Sequence, residues 1–199
     1  MIDGIPLVCR SVDLAHAAGV AVPVVVVAPE NAEAIAGALG DREAALVVQR
    51  RPLGPGHALL QGLRFNPAAE RVLVLLSDNV VTIGDVAAVA THATAVGVKD
   101  IDRDDVMRFT RYENGKWIEK VMLGNLWGDP IPCWVGPFIG WRPHMFAKLN
   151  ELAEQMIIGQ ELLIGPYLND MMKDPTRCTT VEVSSYDVGT LDAYLGAQK

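Results

Sequence analysis

Closely spaced metal or disulfide ligands are missing from this 199-residue sequence. Its three cysteines, Cys9, Cys133 and Cys178, stand far apart with no C-x-x-C pair, and its four histidines, His16, His57, His92 and His144, share no ligand spacing. A zinc site needs such groups close together. Reduced, buried thiols are therefore expected. Neither a G-x-S-x-G elbow nor a Walker loop occurs, which argues against the serine hydrolases and P-loop enzymes that depend on them. Positive charge is scarce: 17 Lys and Arg against 24 Asp and Glu leave a net charge of −7. That is the wrong sign for a protein that grips nucleic acid backbones nonspecifically. The most apolar run, Val22 to Ala28, carries Pro23 and falls far short of the ~20 residues of a membrane span. With no signal peptide at the start, the expectation is a cytoplasmic protein without nucleic acid or membrane partners.

What is present describes a folded α/β chain. Half of the residues are hydrophobic, and the length suits a single domain over 1–199 with a substantial core. Apolar spacing predicts a helix over Pro6–Ala18, stopped by Gly19. The β-branched run Val22–Ala28 reads as a buried strand, Asn31 as the cap of a helix Ala32–Leu39, and Leu46–Gln49 as a short strand. Arg51–Gly56 is a loop by composition, followed by a helix from His57 to Leu63. A second buried strand, Arg71–Leu76, ends at Ser77-Asp78-Asn79. This alternation predicts a mostly parallel mixed sheet sandwiched by helices, with ligands bound at the carboxyl ends of its strands. In the second half, Glu113-Asn114-Gly115 is a turn between strands Val106–Thr110 and Lys116–Val121, a β-hairpin insertion. Further elements are a strand Phe138–Trp141, helices Pro143–Gln155 and Glu161–Met172, a strand Thr179–Val183 and a closing helix Leu191–Ala197.

Chemistry is sought where polar residues end buried strands. Asp78 follows such a strand; there it either holds Mg²⁺ beside a triphosphate or caps the next turn. Gly54-Pro55-Gly56-His57 opens a helix, so its N–H groups either meet a phosphate or base edge or simply make a turn, and Pro55 removes one donor. Asp187 is either a second acidic metal ligand or, like Thr190, a helix cap. Glu119-Lys120 closes the hairpin as a functional pair or as an exposed ion pair.

Taken in order, these segments resemble the sugar-phosphate nucleotidyltransferases, the pyrophosphorylases that make UDP-, dTDP-, CDP- or GDP-sugars on a Rossmann-like, GT-A-like fold. Ile2 to Val8 is similar to the family's "GKPLL" step, with Ile5 in place of Lys. Gln49 to Ala58 resembles "Q-x4-G-(T/L)-x-x-A", and Val72 to Asn79 resembles "vlvllGDN", with Ser77 for Gly. Lys116 to Lys120 is similar to the "EKP" hairpin end, with Val121 for Pro. Gly159 to Glu161 with Leu168-Asn169 resembles "GE…l…n", and Tyr186 to Thr190 resembles "W-x-D-x-GT".

The resemblance implies transfer of a nucleotidyl group from a nucleoside triphosphate to a sugar 1-phosphate, with release of pyrophosphate. At the matching positions it implies that Gln49 and the backbone of Gly54 read the base, and that Asp78 and Asp187 hold Mg²⁺. Glu119 with Lys120 would bind sugar hydroxyls, and Gly136 would let the sugar approach the backbone. Cues to the base and sugar conflict: Asp78-Asn79 resembles the thymidylyltransferase branch, whereas Leu53-Gly54 and His57-Ala58 resemble the uridylyltransferase branch acting on N-acetylglucosamine 1-phosphate.

Family members open with a strand and a G-x-G-T-R loop, and Met1 aligns after it. A gap is therefore expected between Val22–Ala28 and Arg71–Leu76. Arg50 and Arg51 are either partial substitutes for the loop's charges or solvated surface arginines. Three readings follow: a catalyst, a degenerate module that binds nucleotide or sugar phosphate without turnover, and a non-enzymatic interaction protein. Met156-Ile157-Ile158 and Trp127 are candidates for core or for a homo-oligomer interface.

Overall fold

The structure, a computed structural model, describes residues 4–102, 109–119, 129–173, 178–184 and 186–187, with backbone alone at 119, 186 and 187. It has the α/β class the sequence predicts, a mixed sheet flanked by helices with a β-hairpin in the second half, although most of the described strand pairs are antiparallel.

Helix α1 (Leu7–Ala17) buries Cys9, Val12 and Ala15, and the chain turns at Gly19 into β1 (Val24–Val27). A short 3-10 turn, Pro29–Asn31, leads into α2 (Ala32–Leu39). Asn31 is no side-chain cap: it is the last residue of that 3-10 turn, in helical conformation, and its side chain accepts no capping hydrogen bond. Strand β2 (Ala45–Val48) pairs in parallel with β1. Helix α3 (Pro55–Phe65) begins two residues earlier than expected, because Pro55 suits the first helical turn, where no N–H is needed.

Strand β3 (Arg71–Val74) runs antiparallel to β8 (Ile131–Trp141), an 11-residue strand buried along most of its length. Between them the chain adds β4 (Asn79–Val80), α4 (Ile83–Ala90) and β5 (Ala95–Ile101), none of which stands out in the sequence. Strand β5 pairs with β8 on one side and, in parallel, with β9 (Thr179–Glu182) on the other. The hairpin is β6 (Thr110–Glu113) and β7 (Lys116–Glu119), so its first arm lies after the expected Val106–Thr110; residues 106–108 lie outside the described residues. Its turn residues Asn114 and Gly115 both take positive φ, 51° and 77°, the geometry that joins twisted strands through two residues.

Helix α5 (Arg142–Glu154) and α6 (Gly165–Met171), shorter than the expected Glu161–Met172, complete one covering layer. The expected helix Leu191–Ala197 lies outside the described residues.

Strand β8 alternates between two cores, as period-two side chains must. Trp134 and Phe138 pack with Leu60, Met145 and Tyr167 of the α3, α5 and α6 layer. Cys133, Val135 and Ile139 pack with Val89 of α4 and Val183. Full burial of a side chain such as Phe138 contributes roughly 1.5–3 kcal/mol.

The sheet is interrupted where the resemblance leads one to expect it. Strands β1 and β2 form their own ladder, apart from the six-stranded sheet containing β3. Between β1 and β3 opens a largely apolar cavity of about 440 Å³, lined by Val24, Val26, Val72, Val74, Leu59 and Leu63 among others.

Candidate functional site

Two neighbourhoods assemble at the ends of strands, and the same cavity borders both: Pro55 and Ala58 of α3 line it, as do Leu76 and Ser77 ahead of Asp78.

The first neighbourhood is built around Gln49. Its N–H donates to Val27 O at 2.8 Å, extending the β1–β2 ladder by one step. The residue is 7% exposed, and its Nε2 lies 2.7 Å from His57 Nδ1 and 3.4 Å from Gly54 O. Gly54 holds φ +87°, and a Cβ there would stand 2.8 Å from Glu161 Cβ and 3.0 Å from Leu162 O. Glycine is required at this position on both counts. Leu162 clasps the loop through its own backbone: its N–H donates to Leu53 O at 2.7 Å, and its O accepts from Gly56 N–H at 2.8 Å. The first two residues of α3 therefore offer no N–H group to a ligand. Pro55 has no N–H, and the Gly56 N–H is already used.

The second neighbourhood surrounds Asp78, which is exposed in the turn that ends the β3 segment. Strand β4 follows immediately and pairs antiparallel with β10 (Tyr186–Asp187), with Asp187 opposite Asn79. Asp78 and Asp187, 109 positions apart in the chain, thereby come within one ladder step of each other along the backbone. Asn79 Nδ2 donates to Val135 O at 2.6 Å, which ties this ladder to β8 next to Gly136. Gly136 is buried, and its O accepts from Trp134 Nε1 at 2.8 Å. It sits at the register shift between β5 and β8, where Gly97 leaves room for its Cα.

Asp85 was not singled out in the sequence, yet it supports this neighbourhood. It is 8% exposed. Its Oδ2 accepts from the N–H and hydroxyl of Thr82, and its Oδ1 accepts from Ser184 N–H at 2.9 Å. Burial disfavours the anion, but the hydrogen bonds from Ser184 and Thr82 outweigh it and hold the carboxyl below its ordinary range. The Thr82-x-x-Asp85 spacing of a capping box was the available signal.

Of the remaining sites implied by the resemblance, Glu119 ends β7 opposite Thr110, and Lys120 lies outside the described residues. Asn169 anchors this hairpin: its Oδ1 accepts from Trp117 N–H at 2.6 Å, and its Nδ2 donates to Trp117 O at 2.8 Å. Arg50 and Arg51 are exposed. Buried, unpaired thiols are found as expected; burial raises Cys133 to about 12 and Cys178 to about 11. Among the described residues no three His, Cys, Asp or Glu side chains cluster as metal ligands, and no helix is long and apolar enough to cross a membrane.

The MobA-like NTP transferase domain matches residues 1–163. The chain belongs to this family. Its relation to nucleotidyl transfer is therefore a family property. No curated protein matches the chain significantly. Among solved structures, UDP-glucose pyrophosphorylase complexed with UDP-glucose is similar, with a TM-score of 0.73 and 19% identity over 97% of this chain and 85% of that one. The apo form of a UDP-glucose pyrophosphorylase is similar with a TM-score of 0.71 and 17% identity, at the same coverage. At such identities the likeness is one of fold. It places this MobA-like NTP transferase chain in the same Rossmann-like architecture.

Proposed function

We propose that the chain joins a nucleoside triphosphate to a sugar 1-phosphate. A sugar phosphate oxygen attacks the α-phosphorus, the bond from that phosphorus to the β-bridging oxygen breaks, and pyrophosphate leaves. The observation that carries this reading is the β4–β10 register, which brings the backbone of Asp187 beside Asp78-Asn79 in a chain of the MobA-like NTP transferase family. The structural likeness to a protein holding UDP-glucose supports a sugar acceptor.

Two carboxylates at a strand end are the hard oxygen donors that suit Mg²⁺, and a magnesium ion takes its other ligands from phosphate and water. In this reading Asp78 and Asp187 hold that ion, which when bound neutralises charge on the phosphates. Gln49 and the backbone of Gly54 read the base, Glu119 and Lys120 hold sugar hydroxyls, and Gly136 admits the sugar to close backbone approach. The protein performs no covalent step. Its residues supply alignment and charge, the two contributions that matter most in phosphoryl chemistry.

Pyrophosphate release by the purified chain tests this reading, with Mg²⁺, each nucleoside triphosphate and a set of hexose 1-phosphates. Asp78→Asn is expected to lower turnover by about 10²-fold or more. Release unaffected by the substitution would overturn the role of Asp78. Magnesium-dependent nucleotide binding without release would instead establish a binding-only relative.

A further inference from the structure

His57 lies between two glutamines. Gln49 Nε2 is 2.7 Å from its Nδ1, and Gln61 Nε2 is 3.1 Å from its Nε2. A neutral imidazole carries one donor and one acceptor, so the two glutamines cannot both present N–H groups to it. Gly54 decides between them. Its carbonyl oxygen stands 3.4 Å from the Gln49 amide nitrogen, and an amide oxygen turned to that place would face another oxygen. Gln49 therefore keeps its N–H groups inward, His57 Nδ1 is the acceptor, and His57 Nε2–H donates to the Gln61 amide, whose oxygen turns to meet it. The Gln49 carbonyl oxygen is left as the group available to a ligand.

We propose that His57 is a positioning residue for nucleobase recognition, fixing Gln49 so that it offers an acceptor and selects bases whose ring nitrogen carries a proton beside a carbonyl. This rests on the reading of Gln49 as the base-contacting residue. Uracil, thymine and guanine have such an N–H, whereas cytosine and adenine present an unprotonated ring nitrogen at that place. The bond spans eight residues, from the end of β2 to the first turn of α3, so one histidine sets the amide and joins the elements that frame it.

Protonation reverses the arrangement. An imidazolium donates from both nitrogens, so Gln49 must turn its oxygen inward and its N–H groups outward, against the Gly54 carbonyl. Burial disfavours that cation, and the positive charges of Arg64 on α3 and Arg51 on the loop disfavour it further, which keeps His57 below the ordinary histidine range. Glu161 stands on the facing segment, its Cβ against Gly54. The neutral, base-reading state therefore prevails at neutral pH.

The test is nucleotide binding with Mg²⁺, titrated with UTP and CTP at about pH 8 and about pH 5, on wild type, His57→Leu and His57→Asn. Wild type is expected to prefer UTP by about tenfold or more at the higher pH, and the preference should weaken as the pH falls and His57 begins to take up a proton. His57→Leu should lose it at both. His57→Asn, whose amide oxygen can stand in for Nδ1, should keep it at both, which a merely structural role would not produce. Unchanged selectivity in wild type across pH and in His57→Leu would overturn the positioning role while leaving base reading intact. Failure of every nucleotide to bind at either pH would overturn both.

Discussion

Single residues in this fold act through how their polar atoms are satisfied. Asp85 shows this best, because one carboxylate holds the start of α4 and the segment after β9 together through Thr82 and Ser184. Removing it leaves those donors without their acceptor. Asp85→Ala is expected to lose about 1–3 kcal/mol in urea denaturation near neutral pH. The sign of its pH dependence follows from the depressed pKa. Stabilisation by Asp85 is present above the unfolded carboxylate range and is lost as pH falls through the folded value. The stability gap between wild type and variant should accordingly narrow in acid; a gap that widened would contradict this account. Asn169 makes the same kind of bond in neutral form, standing in as a strand partner for Trp117.

At the scale of elements, the junction between α3 and the segment before α6 is the tightest place in the candidate site. A Cβ on Gly56 would lie 2.7 Å from Leu162 O and 2.8 Å from Leu163 O, both backbone atoms that cannot rotate away. Gly56→Ala is therefore expected to cost about 1–3 kcal/mol and to lower the melting temperature. Because the same clasp sets the loop carrying Gly54, nucleotide affinity should fall with it, measured under conditions where the variant remains folded. Gly115→Ala, whose Cβ would meet open space, tests the other glycine requirement: its φ of 77° makes it strained without a collision. Element boundaries were legible where end signals were local, as at Gly19 and Asn114-Gly115, and were misplaced by two residues at Pro55. They were less legible at β8, whose full length depends on partners on both sides, β3, β5 and β6.

Considered as a whole, the molecule is unevenly tied. Strand β8 is hydrogen-bonded across the centre of the larger sheet, while β1 and β2 form a separate ladder beside the apolar cavity. Local stability tracks buried contact and paired backbone. Amide hydrogen exchange should thus be faster in β1 (Val24–Val27) than in the centre of β8 (Cys133–Phe138), and equal protection in the two would show that the cavity does not loosen the sheet. Exposed Ile157 and Ile158 sit apart from this cavity and contribute little to the core, whereas Met156 packs against it.

The sequence by itself determined the α/β class, the strand-ending position of Gln49, the Asn114-Gly115 hairpin turn and the buried state of the thiols. All of these follow from local chemistry: β-branched runs, turn residues and the absence of paired ligands. It also carried enough ordered motifs to indicate nucleotidyl transfer, because that chemistry leaves short signatures at fixed places along the chain. Only the tertiary structure decided that Asp187 lies across from Asn79, that Leu162 occupies the Gly56 N–H, and that His57 holds the Gln49 amide. Two of these join segments about a hundred residues apart, and the third depends on how a loop folds back on its helix. Spacing along a chain does not encode such meetings; they exist only once β8 and the layers on its two faces have packed.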